Sequence, residues 1–248
     1  MFRFGNIFQI KRNFLVKIRY QKIKELGFFM PSYYLLIIVT LIIGLIASGD
    51  VKRQLNKYSK VPISNGITGA QAAMNMLRYY GIGNVTVKMG SEGQDFFDPR
   101  TNSITLSPSA FHGRTVTATA TACHEVGHAC QYAQNYVPMK IRGSLVPAAQ
   151  LASNAWFIIF LMGIVLHISG FYTLAIVMYI VVVLFELVTL PVEFDASNRA
   201  KKYMSTIGLT QSDQSGSAKV LRSCACTYVA AALTSVLQLL WLLGQSRD

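Results

Sequence analysis

The chain has 248 residues and a formal net charge of +12, yet only 14% of its residues are charged and 52% are hydrophobic. Soluble domains carry about 25% charged residues, so this composition argues against an ordinary soluble protein. No basic stretch is interleaved with aromatic residues that could stack on bases, which excludes nucleic acid as a partner. Basic residues that flank apolar segments instead meet lipid headgroups, so the expected partner is a lipid bilayer.

Three long stretches of the chain contain no Asp, Glu, Lys or Arg. The stretches run from Pro31 to Gly49 (19 residues), from Gly143 to Phe185 (43 residues) and from Ser223 to Ser246 (24 residues). A helix needs about 20 apolar residues to cross a bilayer, so the stretches have room for one, two and one spans. The sequence therefore predicts a multi-pass membrane protein. Its predicted transmembrane helices are 32–48, 148–167, 171–190 and 225–243.

The first 30 residues carry seven Lys or Arg and one acid, with Phe, Ile, Leu and Val between them. This composition is typical of a basic amphipathic segment that lies on a membrane surface. A dispensable extension fits equally well, because Met30 stands directly before the first span. Residues 1–30 are basic throughout and have no small-residue cleavage site, so we do not expect a signal peptide.

The polar residues 50–142 are the one stretch long enough for a folded domain outside the membrane. Thr68 and Gln71 form a capping box that predicts a helix, and Gly81 ends it. The polar segment 191–223, between the third and fourth spans, is too short to fold by itself.

Two short strands and a long helix are predicted in the second half of the polar domain. Residues 84–89 alternate as a strand, and 103–107 form a second strand after a turn signal. An exposed edge on 103–107 could pair with an extended peptide, although a buried two-stranded ribbon explains the same residues. From Thr115 to Gln134 the only potential helix breaker is Gly127, so a long helix is expected.

The long helix contains the string His124-Glu125-Val126-Gly127-His128. Residues four apart lie on one face of a helix, so the two histidines can bind the same zinc ion. Glu125 lies off that axis but close enough to hold a metal-bound water and to take its proton as a general base. The string therefore predicts a zinc site for hydrolysis of a carbonyl compound.

A catalytic zinc ion needs a third protein ligand and one open position. The second and third spans form a hairpin, 148–190, so the segment 191–223 returns to the side that carries the histidines. Glu193, just after the hairpin, is therefore placed to reach the metal. The candidates for the third ligand are His112, Cys130, Glu186 and Glu193, and the topology favours Glu193.

Other acids near Glu193 have less certain roles. Glu186 lies inside the third span on nearly the same helix face, and an ionisable residue at that depth is a functional hypothesis. It could accept a hydrogen bond from a ligating histidine, or it could be a protonated acid bonded to a neighbouring helix. Asp195 could serve the histidines in the same way. Arg199 and Tyr203 are candidates for stabilising an oxyanion because they follow Glu193 closely.

Several motifs, in the same order, resemble the YugP-type family of membrane zinc metallopeptidases. The resemblance covers about residues 34–243. Its matching stretches are NKYSKVPISNGITGAQAA (56–73), FDPRTNSITLS (97–107), ACHEVGHACQ (122–131), LPVEFDASNRA (190–200) and TYVAAAL (227–233).

The resemblance implies a zinc-dependent endopeptidase that acts on protein or peptide substrates in a cell membrane. It assigns His124 and His128 as ligands, Glu125 as the catalytic residue and Glu193 as the third ligand. The wider group, which includes the HtpX-type proteases, has an Asp where this chain has Ser197. The expected fold is a mainly α polytopic membrane protein with about four transmembrane helices and a small zincin-like α+β element that carries the HExxH helix.

The zinc motif has two alternative interpretations. Intramembrane proteases of the site-2 type bury HExxH in a span and use an Asp-Gly ligand, but this chain has no Asp-Gly dipeptide. A non-catalytic zinc-binding scaffold or quality-control adaptor is the other reading. A structural zinc would want four protein ligands and would not need Glu125.

The distribution of basic residues bears on the orientation in the membrane. Residues 50–142 and 191–223 carry ten and five Lys or Arg, whereas the opposite side carries seven in the N-terminal segment and one at the C-terminus. Positive charge favours the cytoplasmic side, so we expect a cytoplasmic active site.

Overall fold

The computed structural model describes residues 33–245. The chain divides into two units, 1–42 and 43–248. The described part of the first unit, 33–42, is entirely helical. The predicted amphipathic segment 1–30 lies outside the described residues.

Four helices within the described residues are long and apolar enough to cross a membrane. The fold class predicted from the sequence is thereby confirmed, because the protein is mainly helical and polytopic with one small sheet. The four helices are α1 (Tyr33–Tyr58), α5 (Val137–Leu166), α6 (Ser169–Thr206) and α7 (Gln211–Gln245).

The α+β element lies between α1 and α5 in the chain. Its helix α2 begins with the predicted capping box, in which Thr68 accepts from the backbone of Gln71 and Gln71 accepts from the backbone of Thr68. The elements in chain order are α2 (Gly69–Tyr79), β1 (Thr86–Met89), β2 (Phe96–Asp98), β3 (Ser103–Leu106), α3 (Pro108–His112) and α4 (Val116–Ala133).

The three strands form one sheet in the order β1-β3-β2. β3 is parallel to β1 and antiparallel to β2, and all four of its residues are buried. The hypothesis of an exposed edge on 103–107 is therefore wrong, as is the two-stranded ribbon. A third strand, β2, pairs with the side of β3 that would otherwise be free, and the sheet edges are β1 and β2.

The helices α5 and α6 form the predicted hairpin. His167 ends α5 in the left-handed conformation at φ 54°, which lets the chain turn back within two residues. α6 then continues without interruption through Pro191 to Thr206, so the predicted polar segment 191–223 begins as a helix. As a result, Glu193 is held on a rigid helix and not on a loop.

One core joins the α+β element to the ends of α6 and α7. It contains Met76 of α2, Ile104 of β3, Val126 of α4, Met204 of α6 and Val220 of α7, all almost fully buried. The HExxH helix α4 therefore packs directly against the continuation of a transmembrane helix. This contact fixes the position of the motif relative to Glu193.

Gly69 tests how tightly α2 packs against its neighbours. A Cβ atom at Gly69 would overlap the carbonyl oxygen of Ala110, whereas a Cβ atom at Gly83 would meet nothing within 4 Å. We expect Gly69→Ala to lower the free energy of unfolding by about 1–3 kcal/mol, because the backbone must shift. Gly83→Ala is the control and should have little effect. Thermal unfolding in detergent measures both, and equal melting temperatures would contradict this packing.

Candidate metal centre

The two histidines of the motif lie on one face of α4. Thr115 caps the helix, its side chain accepting from the backbone of Ala118, and the helix runs unbroken through the motif. The ring centroids of His124 and His128 are 4.7 Å apart, as expected for residues one turn apart. The Nε2 atoms of both rings point to the same place, where α6 supplies a carboxylate.

Glu193 completes a group of three donors. Its Oε2 atom lies 3.2 Å from His124 Nε2 and 3.6 Å from His128 Nε2. Only 2% of Glu193 is exposed. Within the described residues, these three side chains are the only His, Cys, Asp or Glu group whose ligand atoms converge closely enough to hold a metal ion. Of the four candidates for the third ligand, the structure brings Glu193 alone to the histidines.

A close approach of two backbones makes this convergence possible. Gly127, between the two histidines, faces α6, and a Cβ atom there would be 2.5 Å from the carbonyl oxygen of Ala196. Only glycine lets α4 come this near to α6. The same contact places Glu193 within reach of both rings.

The remaining ring nitrogens are also hydrogen-bonded. Nδ1 of His124 lies 3.2 Å from Ser197 Oγ, and Nδ1 of His128 lies 3.1 Å from Gln131 Oε1. Such bonds fix the orientation of each ring so that both Nε2 atoms face Glu193. Ser197, which replaces the Asp of the wider protease group, thus contacts a ligand candidate.

The acids near Glu193 differ in what they contact. Glu186 makes no hydrogen bond to either histidine, since Ser197 and Gln131 occupy both Nδ1 atoms. Asp195 contacts Gln131 and not a histidine, because its Oδ2 accepts from Gln131 Nε2 at 2.9 Å. Neither acid therefore bonds directly to a histidine in the structure, and Asp195 is linked to His128 through Gln131.

Glu125 faces the cavity next to the three donors. It is 8% exposed, and its carboxylate makes no hydrogen bond or ion pair with any described residue. The carboxylate is therefore free to bind a molecule that enters the cavity. The structure brings all four predicted site residues to one place, with Glu125 outside the group of converging donors.

The cavity has a volume of about 840 Å³ and opens beside the motif. Its walls come from the α4 face, the β2 edge, the first turns of α5 and one residue of α7. Arg142 and Tyr228 line it and were not predicted as site residues. Tyr228 stands in the TYVAAAL stretch, which was one signal that could have found it. No sequence signal marked Arg142, whose guanidinium lies 4.0 Å from Glu193 Oε1.

The two residues predicted to stabilise an oxyanion lie elsewhere. Arg199 donates to Asp195 at 2.6 Å and to Gln134 at 2.5 Å. Tyr203 is buried in the core against Tyr79. Both follow Glu193 in the sequence, but the helix turns their side chains away from the cavity.

The pKa values of two ligand candidates, His128 and Cys130, are shifted for different reasons. Burial lowers the pKa of His128, but the neighbouring carboxylates of Glu193 and Glu125 outweigh it, so the pKa is raised. Burial raises the pKa of the Cys130 thiol to about 12. A thiol that stays protonated is a poor metal ligand, which agrees with the position of Cys130 outside the converging group.

The donor set fits a zinc ion. Two ligand atoms on a tetrahedral zinc, each about 2.1 Å from the metal, lie about 3.4 Å apart. The observed distances of 3.2 Å and 3.6 Å between the carboxylate oxygen and the two ring nitrogens agree with that spacing. Two imidazoles and one carboxylate are also the ligands of a common catalytic zinc site.

The fold and the site are those of a polytopic membrane protein with a candidate metal centre on an HExxH helix. The chain belongs to the family described as "Putative neutral zinc metallopeptidase", which matches residues 33–247. The resemblance seen in the sequence motifs is confirmed.

A relative supports the same family. The chain is 38% identical over 196 residues to the "Putative membrane protease YugP" of Bacillus subtilis (strain 168). The alignment covers 78% of this chain and 87% of that protein. No solved structure matches the chain.

Gly127 provides a test of the α4–α6 contact. Alanine normally favours a helix by about 1 kcal/mol over glycine. Gly127→Ala should nevertheless weaken zinc binding at least 10-fold, because the added methyl group pushes His124 and His128 away from Glu193. Gly170→Ala, where a Cβ atom meets nothing within 4 Å, is the control. Zinc affinity is measured by competition with a chelator, and an unchanged affinity would show that the contact is not needed.

Proposed function

We propose that this protein is a membrane-embedded zinc-dependent endopeptidase that hydrolyses peptide bonds of protein substrates. One observation carries the proposal: His124, His128 and Glu193 converge, while the adjacent carboxylate of Glu125 stays free at the same cavity. A structural zinc site would close with four protein ligands. Three donors beside a free acid favour a catalytic site over the non-catalytic scaffold.

The chemistry divides among the residues of the site. His124, His128 and Glu193 would hold the zinc ion, which supplies a Lewis acid for the substrate carbonyl and for water. Glu125 takes the proton from the attacking water and then gives it to the amine that leaves. The cavity position of Glu125 and its lack of other partners within the described residues support this role.

Two residues at the cavity wall can stabilise the negative charge that develops on the carbonyl oxygen. Arg142 carries a positive charge, and its buried Nε atom has no hydrogen-bond partner within the described residues. Tyr228 supplies a hydroxyl group from α7. Donors aimed at a developing oxyanion lower the barrier more in a partly dry site than in water.

The substrate can bind along β2. This strand is an edge of the sheet, and Asp95, Phe96, Phe97 and Pro99 line the cavity. An extended peptide that pairs with an edge strand gains main-chain hydrogen bonds that do not depend on its sequence. This position replaces the one first assigned to 103–107 and suits a protease that accepts unfolded polypeptides.

Replacement of Glu125 tests the role of the base. We expect Glu125→Gln to bind about one zinc per chain, like the wild type, but to lose at least 100-fold of the rate of casein cleavage, since the amide cannot take a proton. Zinc content and cleavage in detergent measure the two properties. Glu92→Gln, on an exposed loop, is the control.

Zinc content and casein cleavage together distinguish the possible outcomes. Wild-type protein that holds zinc but cleaves no substrate, even in lipid, would support the scaffold. Full activity of Glu125→Gln would remove Glu125 from the mechanism. Wild-type protein without zinc after resupply would contradict the metal centre.

We also propose that the protein spans a cell membrane with the active site on the cytoplasmic side, as the distribution of basic residues favours. We expect Ser169→Cys, at the first residue of α6 beside the α5–α6 turn, to react with a membrane-impermeant maleimide in intact cells. Lys88→Cys, on β1, should react only after permeabilisation. Both positions are exposed. The background carries serine at Cys224 and Cys226, and the reverse labelling pattern would place the active site outside.

A further inference from the structure

Gln131 is a fully buried polar residue between α4 and α6. It is 0% exposed and stands three residues after His128 on the same helix. Its Oε1 atom lies 3.1 Å from His128 Nδ1. Its Nε2 atom lies 2.7 Å from the carbonyl oxygen of Val192 and 2.9 Å from Asp195 Oδ2. One side chain therefore connects the ligand candidate His128 to Val192 and Asp195, which lie one residue before and two residues after Glu193 on α6.

The partners of Gln131 determine the direction of its amide group. A backbone carbonyl can only accept a hydrogen bond, and so can an ionised carboxylate. The end of the amide that faces Val192 and Asp195 must therefore be the NH₂ group. The oxygen then faces His128, and because an amide oxygen can only accept, Nδ1 of His128 must carry the proton.

The position of this proton leaves the lone pair of neutral His128 on Nε2. That is the atom that lies 3.6 Å from Glu193 Oε2 and points to the metal centre. A histidine binds a metal through the nitrogen that has no proton, so Gln131 selects the tautomer that can bind. The bond also fixes the rotation of the ring about its side-chain torsions.

His124 has no equivalent hydrogen-bond partner that would fix its tautomer. Its Nδ1 atom contacts the hydroxyl of Ser197, and a hydroxyl can either donate or accept. Ser197 is therefore compatible with both tautomers of His124. The asymmetry between the two histidines identifies Gln131 as the residue that imposes a tautomer.

Asp195, which accepts from Gln131, is itself held in place by hydrogen bonds. Asp195 accepts from Arg199 Nε at 2.6 Å, and Arg199 donates to Gln134 Oε1 at 2.5 Å. The carboxylate that receives the Gln131 amide is therefore oriented by a guanidinium group. These hydrogen bonds lead back to Gln134, the residue that caps the C-terminus of α4, and thus connect α4 and α6 on this side of the site.

We propose that Gln131 is a positioning residue that sets the Nδ1–H tautomer and the ring orientation of His128 for zinc binding. The proposal rests on the zinc site of the proposed function. It does not make Gln131 a catalytic residue, because its amide contacts only protein groups.

The test compares Gln131→Met, which keeps the approximate volume but offers only a weak thioether acceptor, with Gln131→Glu, which keeps an oxygen acceptor toward His128. Gln214→Met is the control, since it removes an amide-to-carbonyl bond on α7, where Gln214 donates to Leu209 at 2.9 Å. The ¹⁵N shifts of the imidazoles in metal-free protein report the tautomer. They are recorded at increasing pH above the ordinary histidine pKa of about 6.5 until the His128 signals no longer change, because neighbouring carboxylates raise the pKa of this imidazole. The chain has four histidines, so His128→Asn assigns the signal.

We expect His128 to be in the Nδ1–H form in the wild type, in Gln214→Met and in Gln131→Glu, and to be a mixture in Gln131→Met. Zinc affinity, measured by competition with a chelator, should fall about 10- to 100-fold in Gln131→Met and recover in part in Gln131→Glu. An Nε2–H form in the wild type would overturn the proposal even if Gln131→Met does not fold. So would equal tautomers and affinities in Gln131→Met and the control.

The measurements separate this proposal from the proposed function. Wild-type protein that has the Nδ1–H tautomer but binds no zinc would contradict the metal centre and leave the selection of the tautomer by Gln131 supported. Zinc binding that is indifferent to Gln131, with cleavage intact, would contradict the positioning role alone.

Discussion

The close contact between α4 and α6 is the constraint on which the site depends. At Gly127 the two backbones are so near that a single methyl group would be 2.5 Å from the carbonyl oxygen of Ala196. Ligand atoms of a metal site must meet within a few tenths of an ångström, and side chains cannot compensate for helices that are too far apart. The absence of a side chain at Gly127 is therefore as important to the centre as the histidines on either side.

Burial of Glu193 follows from the same contact and has to be balanced. A carboxylate that is 2% exposed is costly unless positive or polar groups surround it. His124 and His128 contact one of its oxygens, and Arg142 approaches the other at 4.0 Å. These three groups together surround the buried carboxylate, and a zinc ion fits the same geometry of the donors.

The membrane helices contribute stiffness as well as an anchor. α6 leaves its apolar stretch and continues through Pro191 as one helix, so the ligand candidate Glu193 and its neighbour Asp195 are fixed to a helix that is apolar and long enough to cross a membrane. α5 and α7 supply Arg142 and Tyr228 to the cavity. The cavity is thus shared between the α+β element and the membrane helices, which explains why neither part of the chain could form it alone.

The sequence by itself determined the features that depend on spacing within one element: the apolar spans, the capping box of α2, and the two histidines one turn apart. The hairpin argument also pointed from the sequence to Glu193. Only the tertiary structure decided which residues of different helices are in contact. Contacts such as Gly127 with Ala196 and Gln131 with Asp195 join residues that are far apart in the sequence, and no repeating pattern links them. The same reason explains the error on 103–107, since a strand cannot be recognised as central until the third strand that pairs with it is known.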